Sequence, residues 1–169
     1  MRIPLIVKIG ALIAATTALY TYIGQLVPQK EVAPPVVVEM SADMTTDDLV
    51  RIGRGIAEGK GLCLTCHTVG KSGTTLRFPD LAGIATRAGE RVAGFDALTY
   101  MAQSIYHPDD YIVPGYNPGM PAIDKPPIGL TDDEIKAVIA YLQSLGGEAT
   151  ITMDTSVPYA DGKPVAAGG

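Results

Sequence analysis

The sequence predicts an all-α protein with an N-terminal transmembrane helix and one helical soluble domain. A largely apolar stretch of 25 residues near the start, Ile3 to Val27, carries a single formal charge at Lys8. Later segments place apolar residues at helical spacing between recognisable helix caps. No run of alternating apolar and polar residues is long enough for a sheet. The length of 169 residues suits one compact domain with extensions.

The N-terminal apolar stretch is predicted to be an uncleaved membrane anchor, residues 1–27. At about 1.5 Å per residue it spans the roughly 30 Å hydrocarbon core of a bilayer. Tyr20 and Tyr22 stand near its far end, where aromatic rings favour the interface. Arg2 and Lys8 on the leading side place the amino terminus in the cytoplasm. The prediction is a single-pass protein of the inner membrane with its soluble domain in the periplasm.

A cleaved secretory signal is the alternative for the same stretch, since it has a similar basic start and apolar centre. The segment "ATTA", Ala15 to Ala18, matches a signal-peptidase site poorly, and the apolar run continues beyond it to Val27. Both alternatives export the rest of the chain.

Residues 28–44 form a predicted Pro-rich linker that contains three prolines and no helical periodicity. Such a segment is semi-extended and serves as a tether or a docking arm. Residues 148–169 at the other end show no helical stripe and finish in "GKPVAAGG". They are predicted to be a C-terminal extension that is flexible or bound to a partner.

The predicted soluble domain, residues 45–147, contains three helices. The first follows capping threonines, carries Gly53 on the apolar stripe formed by Leu49, Ile52 and Ile56, and ends at Gly59 or Gly61. The second is predicted within Phe95–Pro108. The third begins at a capping box of Thr131 and Glu134 and ends at Gly146 and Gly147.

The stretch "GLCLTCHTVG" holds the only two cysteines of the chain, Cys63 and Cys66, followed directly by His67. A structural zinc site would need four ligands, and His107 is the one other candidate of that kind. A redox dithiol belongs in an α/β sheet, which this sequence does not predict. A plain disulfide would leave His67 without a role.

Cys-x-x-Cys-His has a function that uses all three residues. The two thiols add across the vinyl groups of haem, so that each forms a thioether, and the adjacent imidazole binds the iron. The sequence therefore predicts one covalently attached haem c with His67 as an iron ligand. A bulky apolar cofactor also suits a chain with no Trp and two Phe.

The second axial ligand is predicted to be Met120, which lies in the loop sequence "YNPGMPAI". A loop can present a thioether to iron without distorting a helix. Met101 lies within a helical pattern and suits a core position. His107 is the alternative ligand and would give a bis-imidazole centre of lower potential.

Residues 46–147 resemble a class I c-type cytochrome, a family of small proteins with one haem. The elements that carry the resemblance stand in the family's order: an opening helix with Gly53, the motif Cys63-Cys66-His67, the segment "FPDLAGIATRAG", a middle helix, the loop residue Met120, and a closing helix with Tyr141.

The resemblance implies an all-α fold whose helices surround the covalently bound haem. It implies that Gly53 faces Tyr141 or a neighbour on the last helix. It also implies that the Nδ1 proton of His67 is donated to the carbonyl of Pro79, which would fix the ring and strengthen it as an iron ligand. Candidates for binding the haem propionates are Tyr111, Tyr116, Asn117, Arg77 and Arg87.

The predicted function is that of a membrane-anchored one-electron carrier, a subunit of a respiratory or photosynthetic electron-transfer complex. It needs no catalytic residues and works with redox partner proteins. The net charge of −5 argues against nucleic acid as a partner. Beyond residue 30 the chain has 18 acidic and 10 basic residues, which would steer a basic partner. The alternative is a haem enzyme, or a sensor of gases or peroxide, with a displaceable second ligand.

Overall fold

A computed structural model describes residues 2–27, 39–71 and 76–160. The chain divides into two units, residues 1–34 and 35–169. The described residues contain six α-helices and no strand; the helices are α1 (Leu5–Leu26), α2 (Thr46–Glu58), α3 (Cys63–Cys66), α4 (Ile84–Arg87), α5 (Ala97–Tyr106) and α6 (Asp132–Ser144). A 3₁₀ turn, Ala88–Glu90, follows α4 directly.

The first unit contains α1, whose 22 residues would extend for about 33 Å. Its length and mean hydropathy of 1.6 are sufficient for a membrane span, and none of its residues is buried within the protein. A signal sequence has the same two properties. The predicted linker, residues 28–44, lies mostly outside the described residues, but Met40 and Met44 near its end pack against the core of the second unit.

Helices α2 and α6 begin in the same way, with a threonine that caps the helix. The hydroxyl of Thr45 accepts a hydrogen bond from the amide of Asp48, whose carboxylate accepts one from the Thr45 amide. Thr131 and Glu134 form the equivalent box at α6, which confirms the predicted start of that helix. Each box satisfies amide groups that the first helical turn leaves without a partner.

Helices α2 and α6 pack closely and form the centre of the core. Leu49 of α2 and Ile135 and Ile139 of α6 are fully buried. Gly53 lies against the backbone of Ala137, one helical turn before Tyr141, which is 7% exposed. The contact falls on the last helix, beside the position that the resemblance implied for Gly53.

Helix α5 begins at Asp96, whose side chain accepts a hydrogen bond from the amide of Thr99. Its last residue is Tyr106, followed by the C-cap His107, so the predicted second helix is confirmed but is two residues shorter at each end than Phe95–Pro108. Its C-terminal part is tied to α6, because the hydroxyl of Tyr106 donates to Asp132 over 2.6 Å.

The C-terminal extension was predicted to be flexible or bound to a partner. In the structure, its residues 149–160 pack on the domain itself. Ile151 and Val157 are 1% and 5% exposed and belong to the hydrophobic core. The Ile151 carbonyl accepts a hydrogen bond from the Thr46 hydroxyl at 3.0 Å. Lys136 donates to the carbonyl of Met153 at 2.8 Å. Burial of two isolated apolar side chains therefore extends the domain beyond residue 147; residues 161–169 lie outside the described part.

Candidate functional site

A cavity of about 270 Å³ in the second unit brings together the residues that the sequence singled out. Its lining includes Cys63, Cys66, His67 and Met120. Most of the remaining wall is apolar. It comes from the segment after the motif, from α5 and α6 and from the loop between those two helices, and it includes Leu81, Ile84, Met101, Ile105, Ile123 and Val138. Such a cavity suits a large apolar group that reaches both the thiols and the thioether.

The motif occupies a single helical turn, α3, which starts directly after Leu62. Leu62 adopts a left-handed conformation with φ of 55°, which interrupts helical geometry directly before α3. Gly61 is buried before it, and a Cβ at that position would crowd the Ile56 carbonyl and lie 3.4 Å from the Cys63 sulfur. Spacing of three residues on a helix then presents both cysteines on one side.

The two cysteines are not joined by a disulfide, and their surroundings differ. Cys63 is half-buried, and burial raises the pKa of its thiol. Cys66 is exposed. Both thiols line the cavity, as attachment to a single occupant requires.

The imidazole of His67 is held by the carbonyl oxygen of Pro79, which lies 2.8 Å from Nδ1. A carbonyl oxygen can only accept, so Nδ1 carries the proton and donates it. The lone pair of Nε2 is then available to bind a metal ion. The ring also lies 6.1 Å from that of Phe78, measured between centroids.

The segment that follows the motif is held in place by Asp80, which the sequence analysis did not single out. Its carboxylate accepts hydrogen bonds from the hydroxyl of Thr68 at 2.6 Å and from the amides of Gly70, Lys71 and Ala82 at 3.1, 2.8 and 2.8 Å. The Thr68 bond, followed by these amides, lowers the pKa of Asp80 to about 2. Asp80 thereby joins the chain after His67 to the chain after Pro79.

Arg87 supports the same segment from α4. Its guanidinium donates to the carbonyl oxygen of Asp80 at 2.9 Å and to that of Ala82. The segment with Pro79 is thus held on both sides, by a carboxylate and by a guanidinium.

The candidates for the second axial ligand differ in their placement. Met120 is half-buried in the loop between α5 and α6 and lines the cavity. Met101 lines it too, but from within α5, where it is 2% exposed and part of the hydrophobic core. His107 is exposed at the end of α5, outside the described lining, with its ring 5.1 Å from that of Tyr159.

Of the five candidates for propionate binding, four lie in the cavity wall and one does not. Arg87, Tyr111, Tyr116 and Asn117 line the cavity. Arg77 does not appear among the described lining residues, and its guanidinium lies 5.5 Å from the ring centre of Phe78.

Arg91 lines the same cavity and was missed, since a lone arginine after a turn has no distinguishing sequence pattern. Its backbone amide closes the 3₁₀ turn by donating to Ala88.

A second, more open depression lies between α2 and the end of α6. It touches His67 and Tyr141 but no cysteine or methionine among the described residues. The cavity lined by both cysteines is therefore the better site for a covalently bound group. The residues present fit haem, because the cavity offers two thiols, an imidazole nitrogen, a thioether and an apolar wall.

A comparison with known protein families finds a match over the part of the chain that forms this cavity. The family model described as Cytochrome c matches residues 52–146, which is more than half of the chain and includes Cys63, Cys66, His67 and Met120. A comparison with the curated proteins finds no significant match.

Proposed function

Because this chain belongs to the cytochrome c family, we propose that it is a membrane-anchored one-electron carrier whose haem iron is bound by His67 and Met120. Family membership makes it an electron-transfer protein that carries haem c and works with redox partner proteins. Cys63 and Cys66 have the spacing for the covalent attachment. Three statements go beyond family membership and are proposals: the membrane anchor, the two axial ligands, and membership of a larger complex.

The observation that carries the proposal is the common lining of one cavity by Cys63, Cys66, His67 and Met120. The haem supplies an iron couple that changes by a single electron. The protein's part is to hold the ligands still. The Pro79 carbonyl fixes the ring of His67 through Nδ1, and the loop between α5 and α6 presents Met120.

Thioether ligation and an apolar wall would favour the ferrous form, since the uncharged surroundings stabilise the extra positive charge of the ferric form poorly. The proposal therefore includes a higher potential than a bis-imidazole centre would have. His107 does not line the described cavity, which supports methionine over that alternative.

The role of Met120 is tested by the near-infrared charge-transfer band that ferric haem shows with thioether coordination. The full chain, produced in a host that attaches haem c, should show this band, and Met120→Ala should lose it while keeping the haem-modified mass. Met101→Leu is the matched control, because Met101 lines the same cavity from α5, and it should keep the band. A band that survives Met120→Ala would contradict the proposed ligand.

The second part of the proposal is that α1 stays attached and anchors the haem domain to the outer face of the inner membrane. Its 22-residue length and mean hydropathy of 1.6 support an anchor. The mature protein should sediment with membranes and yield an N-terminal peptide from residues 1–27. A soluble periplasmic protein that begins after α1 would show that the segment is a cleaved signal.

We also propose that the protein is a subunit of a respiratory or photosynthetic complex. The anchor and the linker between it and the domain support this, whereas the packing of residues 149–160 on their own domain removes them as an argument for a bound partner. Extraction in mild detergent should recover stoichiometric partner subunits. A monodisperse monomer would contradict the proposal.

A further inference from the structure

We infer that Arg91 binds a propionate carboxylate of the haem and is the main charged contact for that group. The inference rests on the haem of the proposed function and concerns a residue to which neither the motif nor the family match assigns a role. It depends on three observations. Arg91 lines the cavity, its buried Nε has no hydrogen-bond partner among the described residues, and the described lining has no carboxylate available to pair with it.

Arg91 directly follows the 3₁₀ turn Ala88–Glu90 and lines the cavity. Its side-chain Nε is buried and has no hydrogen-bond partner among the described residues. A buried donor of a charged group is costly to leave unpaired, and most such groups in native proteins have a partner. The missing acceptor is therefore expected to come from the occupant of the cavity.

The described lining cannot provide a carboxylate for Arg91. Asp80 is its one acidic residue, and the two oxygens of that carboxylate already accept four hydrogen bonds. The other titratable side chains of this lining are the two cysteines, His67, Arg87 and the tyrosines Tyr100, Tyr111 and Tyr116. Because the oxygens of Asp80 are already occupied by these donors, the cavity suits an apolar group that brings its own carboxylate for Arg91.

The other arginines are less suitable for this contact. Arg87 uses its guanidinium to hold the backbone carbonyls of Asp80 and Ala82. Arg77 lies outside the described lining. A guanidinium binds a carboxylate through parallel N–H groups, and Arg91 is the arginine whose Nε remains available for this.

The test is the reduction potential of the haem-loaded full chain in detergent, measured between pH 5 and pH 8. A cation beside a propionate keeps the pKa of that group low. In Arg91→Gln the loss of a positive charge near the iron should lower the potential. The propionate should then take up a proton on reduction, which makes the potential depend on pH. Arg91→Lys keeps the positive charge but not the planar guanidinium, so it should show a smaller change in potential.

Arg51→Gln is the matched control, because it removes the same charge from an exposed residue of α2 that pairs with Asp48. It should behave like the wild type. If Arg91→Gln and Arg51→Gln give the same potential at every pH, the inference is wrong. Absence of haem from the wild-type protein would instead contradict the proposed function, so the two failures are distinguishable.

A measurement on the wild-type protein covers the case in which Arg91→Gln does not mature. In the ferric protein labelled with ¹⁵N-arginine, the Nε–H of Arg91 should exchange slowly with solvent and be shifted by the iron. The signal is assigned to Arg91 because it should be absent from the spectrum of Arg91→Lys. Exchange as fast as that of Arg51 would overturn the inference.

Discussion

Gly53 of α2 packs directly on the peptide of Ala137 in α6, so closely that a Cβ on residue 53 would overlap the Ala137 carbonyl oxygen. This contact lets the backbones of the two helices approach where no side chain would fit. Helix α2 leads into the haem-attachment motif, and α6 contributes Val138 and Leu142 to the cavity wall. The contact therefore sets the distance between the motif and that wall.

Gly53→Ala is expected to destabilise the domain by roughly 1–3 kcal/mol or more, because α2 and α6 must separate to admit one methyl group. The measurement is guanidinium unfolding of the haem-loaded protein, followed by helical circular dichroism. A lower yield of haem-loaded protein is expected as well.

Gly55→Ala is the matched control on the same helix. A Cβ at residue 55 would meet no heavy atom within 4 Å among the described residues. Alanine favours helix over glycine, so this variant should be more stable than the wild type by about 0.5–1 kcal/mol. Equal unfolding midpoints for Gly53→Ala and Gly55→Ala would contradict the account of the α2–α6 contact.

Asp80 should make the domain sensitive to acid. Its pKa is lowered from 3.8 to about 2 in the folded state, so its stabilising effect is fully present above pH 4 and is lost as the pH falls toward 2. Asp80→Asn should therefore unfold at lower denaturant concentration than the wild type at pH 7. Below about pH 2 the difference caused by this charge should disappear.

Asp109→Asn provides the comparison, because Asp109 is an exposed carboxylate at the end of α5. It should leave the unfolding midpoint at pH 7 near that of the wild type. The role of Asp80 would be refuted by an Asp80→Asn protein whose stability matches that of Asp109→Asn across the whole pH range.

The C-terminal extension should contribute to stability. Ile151 is 1% exposed within the core, so Ile151→Ala should cost about 2–5 kcal/mol. Ser156→Ala changes an exposed residue of the same segment and should have little effect. Thermal unfolding of both variants measures the difference, and an extension that contributes nothing would leave Ile151→Ala as stable as Ser156→Ala.

The helices with strong local signals could be predicted from the sequence. The box of Thr131 and Glu134, with apolar residues at helical spacing behind it, was sufficient to predict α6. The Cys63-Cys66-His67 motif and the family resemblance led to the haem and to the pairing of His67 with Pro79, which the structure places at 2.8 Å. These features depend on neighbouring residues or on a motif of fixed spacing.

The features that could not be predicted from the sequence are short helices or depend on contacts between distant parts of the chain. Helices α3 and α4 have four residues each, too few to show a hydrophobic period. Ile151 and Val157 are isolated apolar residues whose burial requires the preformed core. The role of Asp80 arises only when the chain on both sides of residues 72–75 comes together.

The most direct test of the central claim is carbon monoxide binding to the ferrous full-length protein at neutral pH. If His67 and Met120 both bind the iron, no position is open, and the visible spectrum should stay unchanged on mixing. Met120→Ala should bind carbon monoxide at once, which shows that the assay would detect an open site. Rapid and complete binding by the wild type would contradict the six-coordinate electron carrier and favour a haem enzyme or sensor.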